Sequence, residues 1–157
     1  MRTPKIYLET TIFNFVFADD APDKKADTLK LFDEIKRGLY EPYTSDYAID
    51  ELSQATLAKR EKLLKLLEAY DITRIEASEK IENLASIYVT EGIIPIKYAT
   101  DATHIASASV ADMDFIVSWN FKHIVKRKTI MMTELINFRE GYKRIGIHSP
   151  AEVIENE

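Results

Sequence analysis

Glu9, Glu51, Asp101 and Asn120 are the side chains of this sequence whose types and placement point to chemistry. Glu9 lies in KIYLETTIF, where a short apolar run meets a helix start, and Glu51 lies in EPYTSDYAIDEL, which is built the same way. Asp101 and Asn120 share a third such segment, DATHIASASVADMDFIVSWNFKHI. Carboxylates that converge at one edge repel one another unless a cation is held among them. Mg²⁺ and Mn²⁺ take oxygen ligands of this kind, and both ions stay open as expectations. Either can acidify a bound water and stabilise the departing oxygen of a phosphodiester. The expectation is a metal site of Glu9, Glu51 and Asp101, with Asn120 orienting water beside it.

The elements that must position these residues alternate along the chain. Lys5–Leu8 reads as a buried strand and residues 11–16 as a short helix. Asp23 opens a helix in which Leu29, Phe32, Ile35 and Leu39 recur at helical spacing. Residues 41–44 form a second strand, and Ser45 is a natural N-cap for a helix running through Glu51. Leu63, Leu64, Leu66, Leu67 and Tyr70 give another helix a wide apolar face, which suits either the core or a dimer contact. Residues 71–76 return as a strand. Ile81, Leu84, Ala85, Tyr88 and Val89 then fit a one-faced helix. A small-residue helix over 99–111 leads into a strand over 115–118 that is apolar on both faces. One or two helical segments and a strand near 145–148 follow, and Ser149-Pro150-Ala151-Glu152 is a capping box that opens a terminal helix. Strands alternating with helices predict an α/β sandwich with a mostly parallel sheet, as a single domain over residues 1–157. In such a sheet ligands bind outside the carboxyl ends of the strands, the edge where Glu9 and Asn120 belong.

Neighbouring acids fit this selection less well. Asp112 and Asp114 precede the 115–118 strand and belong at its opposite end. Asp50 points about 100° away from Glu51 around a helix. Asp19 and Asp20 read as loop residues. Taken singly, each selected acid has an ordinary structural use, since Glu9 could cap a helix, Glu51 could face solvent and Asp101 suits a helix start. Their joint placement is what favours a site. His104 shares a helix face with Asp101, and His123 follows Asn120 by three residues; Asp-x-x-His could place a nitrogen near the metal or assist proton transfer, but packing or a supporting role is the expectation for both. His148 adjoins the capping box and reads as structural. Trp119 is expected to cover the sheet edge rather than stack on a base. Thr10 and Ser118 could hydrogen-bond the carboxylates.

Composition bounds the remaining possibilities. The chain has 157 residues, 46% hydrophobic and 30% charged, with a formal charge of −5 and no cysteine. These values suit a soluble globular protein without thiolate chemistry and argue against one that grips nucleic acid over its whole surface. No apolar run is long enough for a membrane span, and residues 1–20 lack a signal-type core, so a cytoplasmic location is expected. Between Asn120 and Arg144, seven basic residues (Lys122, Lys126, Arg127, Lys128, Arg139, Lys143, Arg144) face two acids, Glu134 and Glu140. A basic strip beside an acidic pocket suits a polyanion held near a metal, with Lys122, Lys126, Arg127 and Lys128 as candidates for its backbone. Gly-rich phosphate loops and a Gly-x-Ser-x-Gly elbow are absent, which disfavours nucleotide-binding and α/β-hydrolase readings.

IYLETTIF, SDYAIDEL, DATHIASA and FIVSWNFKHI, in this order and spacing and followed by HSPAEVI, resemble the PIN-domain nucleases over almost the whole chain. The resemblance implies a three-layer α/β/α sandwich and a metal-dependent endoribonuclease. It also implies a cytoplasmic toxin of a toxin–antitoxin pair, inhibited by an antitoxin and often a homodimer, with RNA as substrate and no membrane partner. Carried over by residue, Glu9 matches the first acid, usually aspartate, Thr11 the hydroxyl that steadies it, Glu51 the second acid and Asp101 the third. Asn120 falls where a fourth acid or a polar substitute occurs, and Ser118 lies beside it. The glutamate at 9 and the asparagine at 120 depart from the pattern. They leave three formal negatives and support the alternative of a weak or silent PIN-like domain that binds RNA or a protein partner.

Overall fold

The computed structural model describes residues 2–155. Five short strands, β1 (Lys5–Leu8), β2 (Glu41–Ser45), β3 (Thr73–Ile75), β4 (Phe115–Val117) and β5 (Gly146–His148), form an all-parallel sheet in the order β3-β2-β1-β4-β5. The central pair is in register at Ile6–Phe115, Tyr7–Ile116 and Leu8–Val117. The helices are α1 (Thr10–Phe15), α2 (Pro22–Lys36), α3 (Asp46–Ala55), α4 (Leu57–Ala69), α5 (Glu79–Thr90), α6 (Ala99–Val110), α7 (Arg127–Glu140) and α8 (Pro150–Val153).

Alternation along the strands sends side chains into two cores. Ile6, Leu8 and Val117 meet α1 and α2 through Ile12, Phe13, Leu31 and Phe32, joined by Leu52 and Leu63 of α3 and α4. Tyr7, Ile116 and Ile147 meet α5 and α6 on the opposite side, through Leu84, Tyr88, Ala102 and Ile105. The result is the three-layer α/β/α sandwich of the PIN-like type. Small residues let α6 lie close to the sheet, and Ala102, Ile105, Ala106 and Ala108 are fully buried there. Asn137 of α7 donates to Ser109 of α6 at 2.9 Å and accepts from Tyr88 of α5, so one satisfied polar cluster joins three helices.

Local chemistry sets the element ends. Ser45 caps α3 through the Ala48 N–H, Thr56 caps α4 through Lys59, and Ser78 caps α5 through Ile81. The Ser149–Glu152 capping box is present at α8. Helix α2 begins at Pro22 rather than Asp23, because proline's fixed φ and missing N–H suit the first helical position. The strand expected over 71–76 shortens to Thr73–Ile75, since Asp71 turns the chain at φ 51°. On α4, Leu63 is buried and Leu66, Leu67 and Tyr70 pack against the core that Ile6, Leu8 and Val117 share with α1 and α2, so most of the face with two readings is core. No described helix is long and apolar enough to cross a membrane.

Asp114 lies at the amino end of β4, opposite the candidate site, and ties the start of the chain to the sheet. It accepts from both Arg2 guanidinium nitrogens, at 2.8 and 2.7 Å, and from the Lys5 N–H at 2.7 Å. The Arg2 contact, aided by the Lys5 N–H and Lys143, holds its pKa down at about 2, against an ordinary 3.8. Asp114→Ala should therefore lower stability by about 1–2 kcal/mol at neutral pH. Because the folded pKa is the depressed one, the difference is full above about pH 4 and should fade towards pH 2, as read by urea denaturation at several pH values.

Candidate metal centre

The strands after β1 run in one direction across the sheet to β2 and β3, and in the other to β4 and β5. The reversal leaves a crevice at the carboxyl ends of β1 and β4, the place where parallel α/β sheets bind ligands. Glu9, the first residue past β1, is fixed in it at 2% exposure. Its backbone is extended at the α1 N-terminus, but its side chain makes no capping bond. The carboxylate instead accepts from three hydroxyls: Thr10 Oγ1 at 2.6 Å, Thr11 Oγ1 at 2.5 Å and Ser118 Oγ at 2.6 Å. Two of these hydroxyls are themselves oriented by the loop after β4, because Trp119 N donates to Thr11 and Asn120 N to Ser118. With an N–H already pointing at each oxygen, both hydroxyl protons are left for Glu9. The extra methylene of glutamate is thus accommodated by a cradle built from two adjacent strand ends.

Glu51 reaches the crevice from the second turn of α3 and is partly exposed. A shallow pocket of about 200 Å³ opens beside it, lined by Tyr47, Asp50, Gln54, Thr100 and Thr103. His104 of α6 lies fully buried between these elements. Its Nδ1 is 2.7 Å from the Tyr7 hydroxyl, which is 2.6 Å from Ser45 Oγ. Its Nε2 is buried with no hydrogen-bond partner among the described residues, 3.5 Å from a Glu51 oxygen. One ligand atom each from Glu9, Glu51 and His104 lie within 4.8 Å of one another. Two carboxylates and an orphaned imidazole nitrogen are a donor set that fits a divalent cation.

Asp101 begins α6 one turn before His104 and stands beside this triplet rather than inside it. Burial, with the negative charge of Glu9, raises its pKa from 3.8 to about 6 against the pull of His104 and Asn120. Burial alone would lower the pKa of His104, but Glu51, Glu9 and Asp101 outweigh it, and the net shift is upward. Glu51 moves the other way: burial opposes ionisation, while contacts to His104 and Thr10 favour it more, and its pKa is lowered.

Asn120 lies just past β4 as expected, but its Oδ1 accepts from the His123 N–H at 2.9 Å. Its carbonyl therefore orders the following loop, and its amide faces Asp101. Trp119 is 7% exposed, donates to Thr28 at 2.8 Å and covers the sheet edge against Phe15. Of the seven basic residues, Arg139 pairs with Glu91 and Glu140, Lys143 with Asp114 and Arg144 with Glu134. Lys122, Lys126, Arg127 and Lys128 are exposed, and no such ion pair is present for them among the described residues. The uncompensated positive charge thus begins two residues after Asn120. Asp19 pairs with Lys25 on the surface.

The fold is a PIN-like three-layer sandwich, and an acidic crevice lies at its switch point. No family model matches the sequence, and no curated protein matches it. Among solved structures, a chain of the crystal structure of VapBC2 from Rickettsia felis, bound to a DNA fragment from their promoter, is similar at a TM-score of 0.52 and 19% identity. The match covers 74% of this chain and 88% of that one. At that identity the likeness is one of fold.

The crowded carboxylates lead to a prediction for the cation-free protein. Asp101 binds its proton more tightly folded than unfolded, so its ionisation opposes folding as pH rises from about 4 through about 6. In a chelator, Asp101→Asn should leave thermal stability unchanged at pH 4 relative to wild type. It should raise it above pH 6 by about 1–2 kcal/mol, a figure reduced for the partial exposure of the group.

Proposed function

We propose that the protein is a metal-dependent endoribonuclease of the PIN type and the toxin of a toxin–antitoxin pair. The observation that supports this most is the cradle at the sheet's switch point. It holds Glu9 buried on three hydroxyl donors beside Glu51 and Asp101, with exposed basic residues starting at Lys122. Glu9, Glu51 and Asp101 would hold Mg²⁺ or Mn²⁺, directly or through water. The ion, when bound, supplies Lewis-acid charge for the phosphodiester and acidifies water.

The chain's own residues do the rest. Thr10, Thr11 and Ser118 keep the Glu9 carboxylate aimed and spare it reorganisation. The Asn120 amide faces Asp101 and limits its orientations, while Lys122, Lys126, Arg127 and Lys128 draw the RNA backbone to the crevice mouth. The pocket beside Glu51 is shallow and lined mostly by polar side chains, which suits a polymer lying across it. Likeness to VapBC2 supports a partner antitoxin, and the protein product of an adjacent gene with a DNA-binding N-terminus is the partner to co-express.

A second reading has one specific observation in its favour. One acceptor position of the Asn120 carbonyl is taken by the His123 N–H, and the amide brings no negative charge, so this side chain offers less to a cation or its water than a fourth carboxylate would. A domain that binds RNA or a partner and cuts slowly would have this feature. Replacing both departures (Glu9→Asp with Asn120→Asp) should then raise cleavage sharply.

The direct test is cleavage of a mixed-sequence single-stranded RNA with Mn²⁺, Mg²⁺ or EDTA. Cutting should require the metal and fall by roughly a hundredfold or more in Asp101→Asn, a variant expected to be at least as stable as wild type. Folded wild-type protein that leaves RNA intact with both ions would overturn the nuclease reading. Alanine at Lys122, Lys126, Arg127 and Lys128 together should weaken RNA binding. It should also flatten its dependence on salt by about 0.7 in the log–log slope for each phosphate that is no longer neutralised.

A further inference from the structure

The all-oxygen site expected from the sequence leaves one buried atom unexplained. His104 Nε2 has no hydrogen-bond partner although the side chain is fully buried, and it is aimed at the gap between Glu9 and Glu51. A buried imidazole nitrogen without a partner is destabilising, and a fold keeps one when something else satisfies it. The geometry points to a direct metal–nitrogen bond: the cation is held by Glu9, Glu51 and His104 Nε2, with Asp101 outside this set. The inference rests on reading the crevice as a metal centre.

Three features agree. Two donors each about 2.1 Å from one ion and 90–110° apart lie about 3.0–3.5 Å from each other. His104 Nε2 and Glu51 Oε1 are already 3.5 Å apart, long for a hydrogen bond and right for two ligands sharing an ion. The other ring nitrogen is held as metal-bound imidazoles usually are, by a fixed polar partner. The buried Tyr7 hydroxyl keeps its proton at neutral pH, as a phenol ordinarily does. When Tyr7 donates to Ser45, it accepts from His104 Nδ1–H, and the imidazole lone pair then sits on Nε2, facing the carboxylates. Ser45 in turn caps α3, the helix that carries Glu51, so one hydroxyl chain aligns two of the three ligands. The site is then a mixed nitrogen–oxygen set that favours Mn²⁺ and other borderline ions over Mg²⁺.

The alternative use of His104 is as a protonated counter-ion to the acids, with no bond to metal. Pulsed electron paramagnetic resonance of Mn²⁺ bound to the full chain separates the two. The Mn²⁺ spectrum should show nitrogen coupling that changes when histidine is ¹⁵N-labelled, a measurement that needs no mutation. The coupling should vanish in His104→Gln and persist in His123→Gln. By calorimetry, His104→Gln should weaken Mn²⁺ binding by roughly a hundredfold and Mg²⁺ binding by much less. Mn²⁺ that binds tightly, is lost in Glu9→Gln and shows no histidine coupling would overturn the ligand assignment while leaving the metal centre intact. Wild-type protein that binds no Mn²⁺ at millimolar concentration would overturn the metal centre and this inference with it.

Discussion

Burying a carboxylate at the end of a central strand is costly unless hydrogen bonds or charge compensate it, and Glu9 is the side chain around which the rest of this structure is arranged. Its compensation comes from three hydroxyls on two neighbouring strand ends, and two of those hydroxyls are oriented by backbone N–H groups of the loop after β4. The cradle works only if β1 and β4 are adjacent and in register, which the Leu8–Val117 pairing provides. The apolar residues that build the sheet are therefore what hold a charged group still. Sheet order and site geometry have a single origin.

Charge around the crevice is uneven in a way that suits an anionic polymer. On the acidic side, the shifts of Asp101 and His104 both run upward, as expected where negative charge exceeds its compensation. On the basic side, Arg139, Lys143 and Arg144 form ion pairs, while Lys122, Lys126, Arg127 and Lys128 have none among the described residues. Short screening lengths make this local asymmetry matter more than the net charge of −5.

Much of this was legible in the sequence. The alternation of apolar runs and helical periods gave every strand to within a few residues, because both faces of a covered parallel sheet are apolar. Glu9, Thr10 and Ser118 could be grouped because each lies at a strand end or a helix start, positions that a parallel sheet brings to one edge, whereas Thr11 was pointed to by the family resemblance. The placement of Asp114 at the far end followed from the same logic. His104 was harder. Its spacing from Asp101 put it on the right face of α6, but only the crossing of α6 over Tyr7, a contact between residues 97 apart in sequence, shows that its Nε2 has no protein partner. Asn120 was placed correctly by sequence, whereas the commitment of its carbonyl to the His123 N–H depends on how the loop turns. Ion pairs that divide the basic strip into free and neutralised halves are likewise long-range, as in Lys143 with Asp114, and no local pattern encodes them.

The central claim is that the acids at the switch point exist to hold a cation. A crystal soaked in Mn²⁺, with anomalous scattering measured near the manganese edge, tests it most directly. A strong peak is expected within about 2.1–2.3 Å of oxygens from both Glu9 and Glu51. A crevice empty of anomalous density, in a crystal whose surface carboxylates do bind Mn²⁺, would contradict it.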